Sequence, residues 1–168
     1  MRDLRPLKIV TVVGSKKSGK TTVVCRLVEQ LKALGYKVGT VKFFDRAASI
    51  DVSDRETDLH RRAGADLTIA SGVSETAILK KVEKREDLAQ LVTYIPADID
   101  FLICEGVNDQ GVHRVVAVRE ISDIEEYVNE KTIAISGVVA GRALSHRLPI
   151  VDVTRTPEKL AQLVISST

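Results

Sequence analysis

Gly14-Ser15-Lys16-Lys17-Ser18-Gly19-Lys20-Thr21 fits the pattern G-x-x-x-x-G-K-[ST] without a gap. Gly14 and Gly19 let the backbone turn tightly, so that successive N–H groups point at phosphate oxygens. A helix opening at Lys20 adds the partial positive charge of its N-terminus. Lys20 can reach β- and γ-phosphates as a point charge, and the Thr21 hydroxyl can ligate Mg²⁺. A glycine turn can match such a pattern by chance, so the flanks decide. Ile9–Val13 is a β-branched run that reads as a strand. Behind the loop, Thr21, Val24, Leu27, Val28, Leu31 and Leu34 recur at helical spacing, with Gly35 as a C-terminal cap. Strand, glycine loop and helix are the context in which the motif binds phosphate. Lys16 and Lys17 fit either a phosphate contact or a solvated pair.

Working outward, Lys37–Phe43 reads as the next strand, which completes a right-handed βαβ unit. Asp51–Arg62 is polar and reads as a loop followed by a short helix. Leu67–Ala70 and Thr76–Val82 read as short strands joined at Ser71-Gly72. Leu88, Leu91, Val92 and Ile95 mark an amphipathic helix ended by Pro96. Phe101–Cys104 is apolar on both faces, the signature of a buried parallel strand. Val115–Val118, Thr132–Ile135 and Ile150–Val153 read as further strands, and Pro157 suits the first turn of a last helix with Leu160, Leu163 and Val164 inward. The order predicts an α/β, three-layer P-loop NTPase fold: a mostly parallel sheet with helices on both faces. No repeat and no Gly/Ser/Pro-rich linker interrupts it, so residues 1–168 read as one nucleotide-binding domain.

A Mg²⁺ held by one hydroxyl and two phosphates still calls for carboxylates, directly or through water. Glu105 closes the Phe101–Cys104 strand and precedes Gly106, at the strand end where ligands sit in open α/β sheets. It is the candidate metal-side residue beside Thr21. Asp100, at the other end of that strand, faces away. Asp45 and Asp51 follow the second strand on the ligand side, where either can approach the metal or orient a water. Asp54, Glu56, Thr57 and Asp58 fit loop or N-cap roles as well as ligand roles. His60, His113 and His146 lack zinc spacing and suit surface or packing positions.

The 168 residues are 44% hydrophobic and 29% charged, with a formal net charge of +2. That small charge marks no nucleic-acid partner, and Lys80-Lys81 opens only a mixed-charge stretch. Cys25 and Cys104 sit in apolar runs and read as buried free thiols of a reducing compartment. No apolar stretch approaches the roughly 20 residues that span a bilayer. The basic N-terminus leads into a strand rather than a signal peptide, so the expectation is a cytoplasmic protein with no membrane partner.

The sequence resembles the molybdopterin-guanine dinucleotide biosynthesis protein B (MobB) family over most of its length. The resemblance rests on Gly14–Thr22, Leu34-Gly-Tyr-Lys-Val-Gly-Thr-Val-Lys42, Asp51, Glu56-Thr57, Ala63-Gly64-Ala65-Asp66 and Asp100 through Glu105-Gly106. Val116–Arg119 and Leu148–Asp152 are similar to the later strands of that family. The resemblance implies a GTP-binding protein of low intrinsic hydrolysis rate that dimerises and assists the guanylyltransferase joining GMP to molybdopterin. It implies phosphate contacts from Gly14, Ser15, Lys16, Lys17, Ser18, Gly19, Lys20, Thr21 and Thr22, with Lys42 beside them. Lys20 and Asp51 become the candidate catalytic pair, and Thr21 with Glu105 the metal side. The chain departs from the family after Lys42, where Phe43-Phe44-Asp45 replaces histidines, and at Glu105-Gly106-Val107, where the third residue is usually Phe.

The residues by themselves leave other uses open. A shared P-loop also suits an ATP-dependent small-molecule kinase or ligase, for which Arg55, Arg61 and Arg62 are the available lid arginines. It also suits a nucleotide-gated binding module with negligible turnover, with Asp45–Asp58 as the switch. No Asn-Lys-x-Asp sequence marks the base. GTP over ATP is therefore what the resemblance implies, not what the spacing shows.

Overall fold

A computed structural model describes residues 6–44, 55–142 and 145–168. They form two compact units, Met1–Phe44 with Ile95–Thr168, and Asp45–Tyr94, the second inserted between strands of the first.

The first unit is built on β1 (Lys8–Val13), β2 (Val38–Lys42), β5 (Phe101–Glu105), β6 (His113–Ala117) and β7 (Thr132–Ser136). Their spatial order is β2-β5-β1-β6-β7 and every pairing is parallel. Parallel strands must be covered on both faces, which explains their near-continuous apolar runs. Side chains alternate across β1. Val10 and Val12 join Leu27 and Leu31 of α1 (Lys20–Ala33), and Leu160 and Val164 of α5 (Pro157–Ser167), in one cluster. On the opposite face Val13, Val116, Val118 and Ile135 pack with Val139 and with Ile124 of α4 (Ile124–Tyr127). The expected parallel α/β layering is thus present.

α1 ends in a Schellman motif. Gly35 N–H donates to Lys32 O (2.9 Å), Tyr36 N–H donates to Leu31 O (3.1 Å), and Gly35 has φ +82°. Leu34, placed on the apolar stripe by spacing, is instead the C-cap residue and is 60% exposed. Tyr36 meets Phe101 edge-on, ring centroids 5.0 Å apart. Ile150–Val153 does not form the expected strand. It makes one bridge, Ile150 to Ile135, and Val151 and Val153 are buried. The Asp152 carbonyl already accepts Arg155 N–H (3.1 Å) and Thr156 N–H (2.8 Å), so a turn stops the extension before α5.

In the second unit α2 (Arg55–Arg62) precedes an antiparallel hairpin of β3 (Leu67–Ser71) and β4 (Thr76–Lys80), with Ile69 opposite Ile78. Leu67, Ile69 and Ile78 are exposed on one face of the hairpin, while Thr68 is buried on the other. α3 (Leu88–Val92) starts with a capping box in which Asp87 and Gln90 exchange hydrogen bonds. It stops at Val92 rather than continuing to Ile95, because the Thr93 hydroxyl and N–H both donate to Gln90 O.

Candidate functional site

The loop between β1 and α1 takes the shape its sequence demands. Gly14 has φ +140° and Gly19 φ +91°, and Lys17 takes φ +57° as the one non-glycine residue with positive φ among those described. A Cβ on Gly14 would stand 1.7 Å from the Ala117 carbonyl oxygen, so only glycine lets the loop pass the end of β6. Gly19 caps α1 through its carbonyl, which accepts Val23 N–H (3.0 Å).

Lys20 is half-buried, and its Nζ donates to Gly14 O (3.0 Å) and Ser15 O (2.5 Å). Its ammonium therefore lies over the first two residues of the turn. The Ser15 and Ser18 hydroxyls are buried without a hydrogen-bond partner among the described residues. Buried hydroxyls without partners are costly, and phosphate oxygens are suitable acceptors for them. Lys16, Lys17, Thr21 and Thr22 are exposed around the turn.

β5 brings Glu105 to the same end of the sheet. Thr21 Oγ1 donates to Glu105 Oε1 at 2.9 Å, and Lys42 Nζ stands 3.3 Å from that oxygen. Lys42 and Glu105 are register partners across β2 and β5, and Val12 of β1 is level with Glu105 on its other side. Lys42 also lies over the Phe44 ring, 5.9 Å from its centroid. Glu105 is nearly buried, its side chain 12% exposed, so Thr21 and Lys42 are the groups that compensate its charge. Behind it Gly106 N–H donates to Val12 O (3.1 Å) and Thr11 Oγ1 donates to Val107 O (2.7 Å). Asp100 lies at the opposite end of β5, where its Oδ2 accepts Lys37 N–H (2.7 Å).

The residues fit a triphosphate with Mg²⁺. Among the described residues no group of three His, Cys, Asp or Glu could hold a metal alone. One hydroxyl and one carboxylate would leave most of an octahedral shell to phosphate and water, as Mg²⁺ prefers. Glu105 would then meet the ion directly or through water. Asp45, Asp51 and Asp54 lie outside the described residues. Glu56, Thr57 and Asp58 belong to the second unit, where Asp58 faces Arg61 (3.8 Å) and Arg62 (2.6 Å).

Two site features escaped the sequence. Gly137, which follows β7, has φ +86°, and a Cβ there would stand 2.4 Å from Ser18 O. Val138 N–H donates to that same carbonyl at 3.0 Å, so the end of β7 braces the turn from behind. The available signal was a glycine directly after an apolar strand, Ser136-Gly137. The second feature is Cys25, which is exposed rather than buried. It faces away from the α1 stripe of Val23, Val24, Leu27 and Leu31 and lines a shallow groove with Thr21, Thr22, Arg26 and Glu29. Cys104 is buried as expected, and burial pushes its thiol up to about 12.

The chain is similar to known proteins in sequence and in fold. Residues 9–140 match the family model for molybdopterin guanine dinucleotide synthesis protein B. The chain is 32% identical over 139 residues to a probable molybdopterin-guanine dinucleotide biosynthesis adapter protein of Bacillus subtilis, covering 80% of this chain and 79% of that one. It is 22% identical over 158 residues to the adapter protein of Haemophilus influenzae, covering 90% and 85%. The crystal structure of Bacillus subtilis MobB superposes with a TM-score of 0.77 at 28% identity, covering 95% of this chain and 97% of the other.

Proposed function

This chain belongs to the molybdopterin guanine dinucleotide synthesis protein B family, and from that premise we propose that it is a GTP-binding accessory protein of molybdenum-cofactor maturation. It holds GTP with Mg²⁺ and assists a molybdopterin guanylyltransferase-type partner in the cytoplasm. The observation that carries this reading is the convergence of Lys20, Thr21 and Glu105 at one end of the parallel sheet. Lys20 and the loop N–H groups neutralise the phosphates, and Thr21 with Glu105 holds the metal side. Bound Mg²⁺ supplies charge neutralisation across the β- and γ-phosphates. Turnover is weak in this reading, and Asp51 is its candidate for orienting water.

The relatives named as adapter proteins support a partner-assisting role over a stand-alone enzyme. A kinase lid is less supported, because Arg61 and Arg62 both face Asp58. The exposed Leu67, Ile69 and Ile78 face of the hairpin supports homodimerisation, since a two-stranded sheet needs a partner for its apolar side.

Calorimetric titration with GTP and ATP in Mg²⁺, followed by capture of the guanylyltransferase from solution, tests the proposal. GTP-dependent capture and slow phosphate release are the expected results. Acceptor-dependent phosphoryl transfer at about 1–100 s⁻¹, the ordinary kinase range, would replace the accessory reading with a kinase.

A further inference from the structure

Two partners meet Glu105 on a single atom. Thr21 Oγ1 donates to Oε1 at 2.9 Å, and Lys42 Nζ stands 3.3 Å from the same oxygen. The sheet itself places the second partner. Lys42 closes β2 as Glu105 closes β5, and the two are register partners in a parallel pair. Their side chains therefore leave the sheet on one face.

The two charges differ in what each needs. The Glu105 side chain is 12% exposed and the Lys42 side chain 48%. A carboxylate so shielded from water requires a compensating cation. The ammonium has other support, because water reaches half of its side chain and the Phe44 ring centroid lies 5.9 Å from Nζ. Lys42 can leave Glu105 at small cost, whereas Glu105 cannot lose one cation without gaining another.

We propose that Lys42 competes with Mg²⁺ for Glu105 Oε1, and that this competition makes metal binding depend on the triphosphate. The proposal concerns regulation of the site and rests on the reading of Gly14–Thr21 as a triphosphate site. An ammonium and a divalent ion directed at one oxygen repel each other. Without nucleotide, Lys42 and Thr21 already satisfy the carboxylate, and one hydroxyl with one carboxylate offers a metal too few ligands to displace the lysine. With a triphosphate bound, Lys42 can exchange Glu105 for phosphate oxygens, which frees the carboxylate for the metal side.

Calorimetry of GTP binding to the full chain, once with Mg²⁺ and once with EDTA in its place, gives an affinity ratio that measures the coupling of metal to nucleotide. Lys42→Met keeps the apolar stem and removes the charge, and thermal unfolding checks that it folds; Lys42→Gln takes its place if it does not. The ratio should rise by about 3- to 5-fold, the upper end for a half-exposed ion pair. A lysine that only touched phosphate would lower both affinities alike in the variant, and an unchanged ratio would overturn the proposal. Lys42→Arg keeps the charge and should stay near the wild-type ratio; a rise equal to that of Lys42→Met would overturn it as well. In a Glu105→Gln background the gain from Lys42→Met should vanish, and a gain that persists there would place the competition at another group. Nucleotide-free protein supplies a separate readout with Mn²⁺, which shares the oxygen preference of Mg²⁺ and is counted as the free ion by electron paramagnetic resonance. Lys42→Met should retain more Mn²⁺ than the wild type, and the double variant no more than the wild type. Equal retention by wild type and Lys42→Met would overturn the proposal. If no triphosphate binds the wild type, with metal or without, the triphosphate reading fails, while the Mn²⁺ comparison still decides whether Lys42 competes for Glu105.

Discussion

Gly137→Ala should weaken nucleotide binding from a position outside the phosphate loop. Gly137 has φ +86°, which costs a residue with a Cβ roughly 1–2 kcal/mol. The new Cβ would lie 2.4 Å from Ser18 O and 3.0 Å from both the N and O of Val118, all backbone atoms. Real Cβ contacts do not fall below 3.0 Å, so Ser18 must retreat by at least 0.6 Å, the difference between 3.0 and 2.4 Å. That shift strains the Val138 N–H to Ser18 O bond, worth about 1 kcal/mol. The sum, about 2–3 kcal/mol, should lower Tm by roughly 4–12 °C for a chain of this size. Displacement of the turn should reduce GTP affinity by about 10-fold or more, because phosphate contacts depend on N–H direction. Gly35→Ala is the control. It shares a positive φ, +82°, yet its Cβ would meet nothing within 4 Å, and it lies at the far end of α1. It should lose stability alone. Calorimetry and thermal unfolding on the two variants separate the effects. If Gly137→Ala binds GTP as tightly as Gly35→Ala does, the brace has no bearing on the site and the reasoning fails.

Lys20→Ala should cost about 10- to 100-fold in triphosphate affinity with little change in Tm, as calorimetry and thermal unfolding will report. Glu105→Gln keeps an acceptor for Thr21 but removes the charge, so a magnesium titration of GTP binding should shift to higher Mg²⁺. An unshifted curve would move the metal ligand elsewhere. Iodoacetamide at pH 8 should label Cys25 and spare Cys104, whose thiol is buried and titrates at about 12; peptide mass mapping reads the difference. Arg114→Met should lower stability by about 2–4 kcal/mol in urea unfolding. Its guanidinium is buried and holds the 108–110 segment through Asn108 Oδ1 (3.2 Å) and Asp109 O (2.7 Å), and Tyr127 O (3.2 Å) beside it.

Much of the first unit was legible because its signals are local. The β-branched run into Gly14 and the 3.6-residue recurrence of Val24, Leu27 and Leu31 mark β1 and α1 without knowledge of any partner. Phe101–Cys104 announced burial on both faces, which placed Glu105 at the ligand end. What sequence could not show are contacts made by backbone across distant strands. Gly137 lies against the Ser18 carbonyl, 119 residues earlier, and that carbonyl accepts the Val138 N–H; neither backbone group carries residue identity. Leu34 and Cys25 were misplaced for a different reason. Apolar character set their expected burial, whereas the Schellman turn and the phase of α1 set the real one. Ile150–Val153 had the composition of a strand, but the turn at Asp152 ended it after one bridge.

The order β2-β5-β1-β6-β7 also sets a timetable for biosynthesis. β1 lies between β5 and β6, and its register partner for Lys8 is Phe101. At about 5–20 residues per second, the ribosome makes the first strand some 5–20 s before its neighbour exists. The β3–β4 hairpin, whose pairing spans only residues 67–80, can close within that interval. A nascent chain stalled before residue 101 should therefore hold no nucleotide pocket, because β1 has neither of its sheet neighbours.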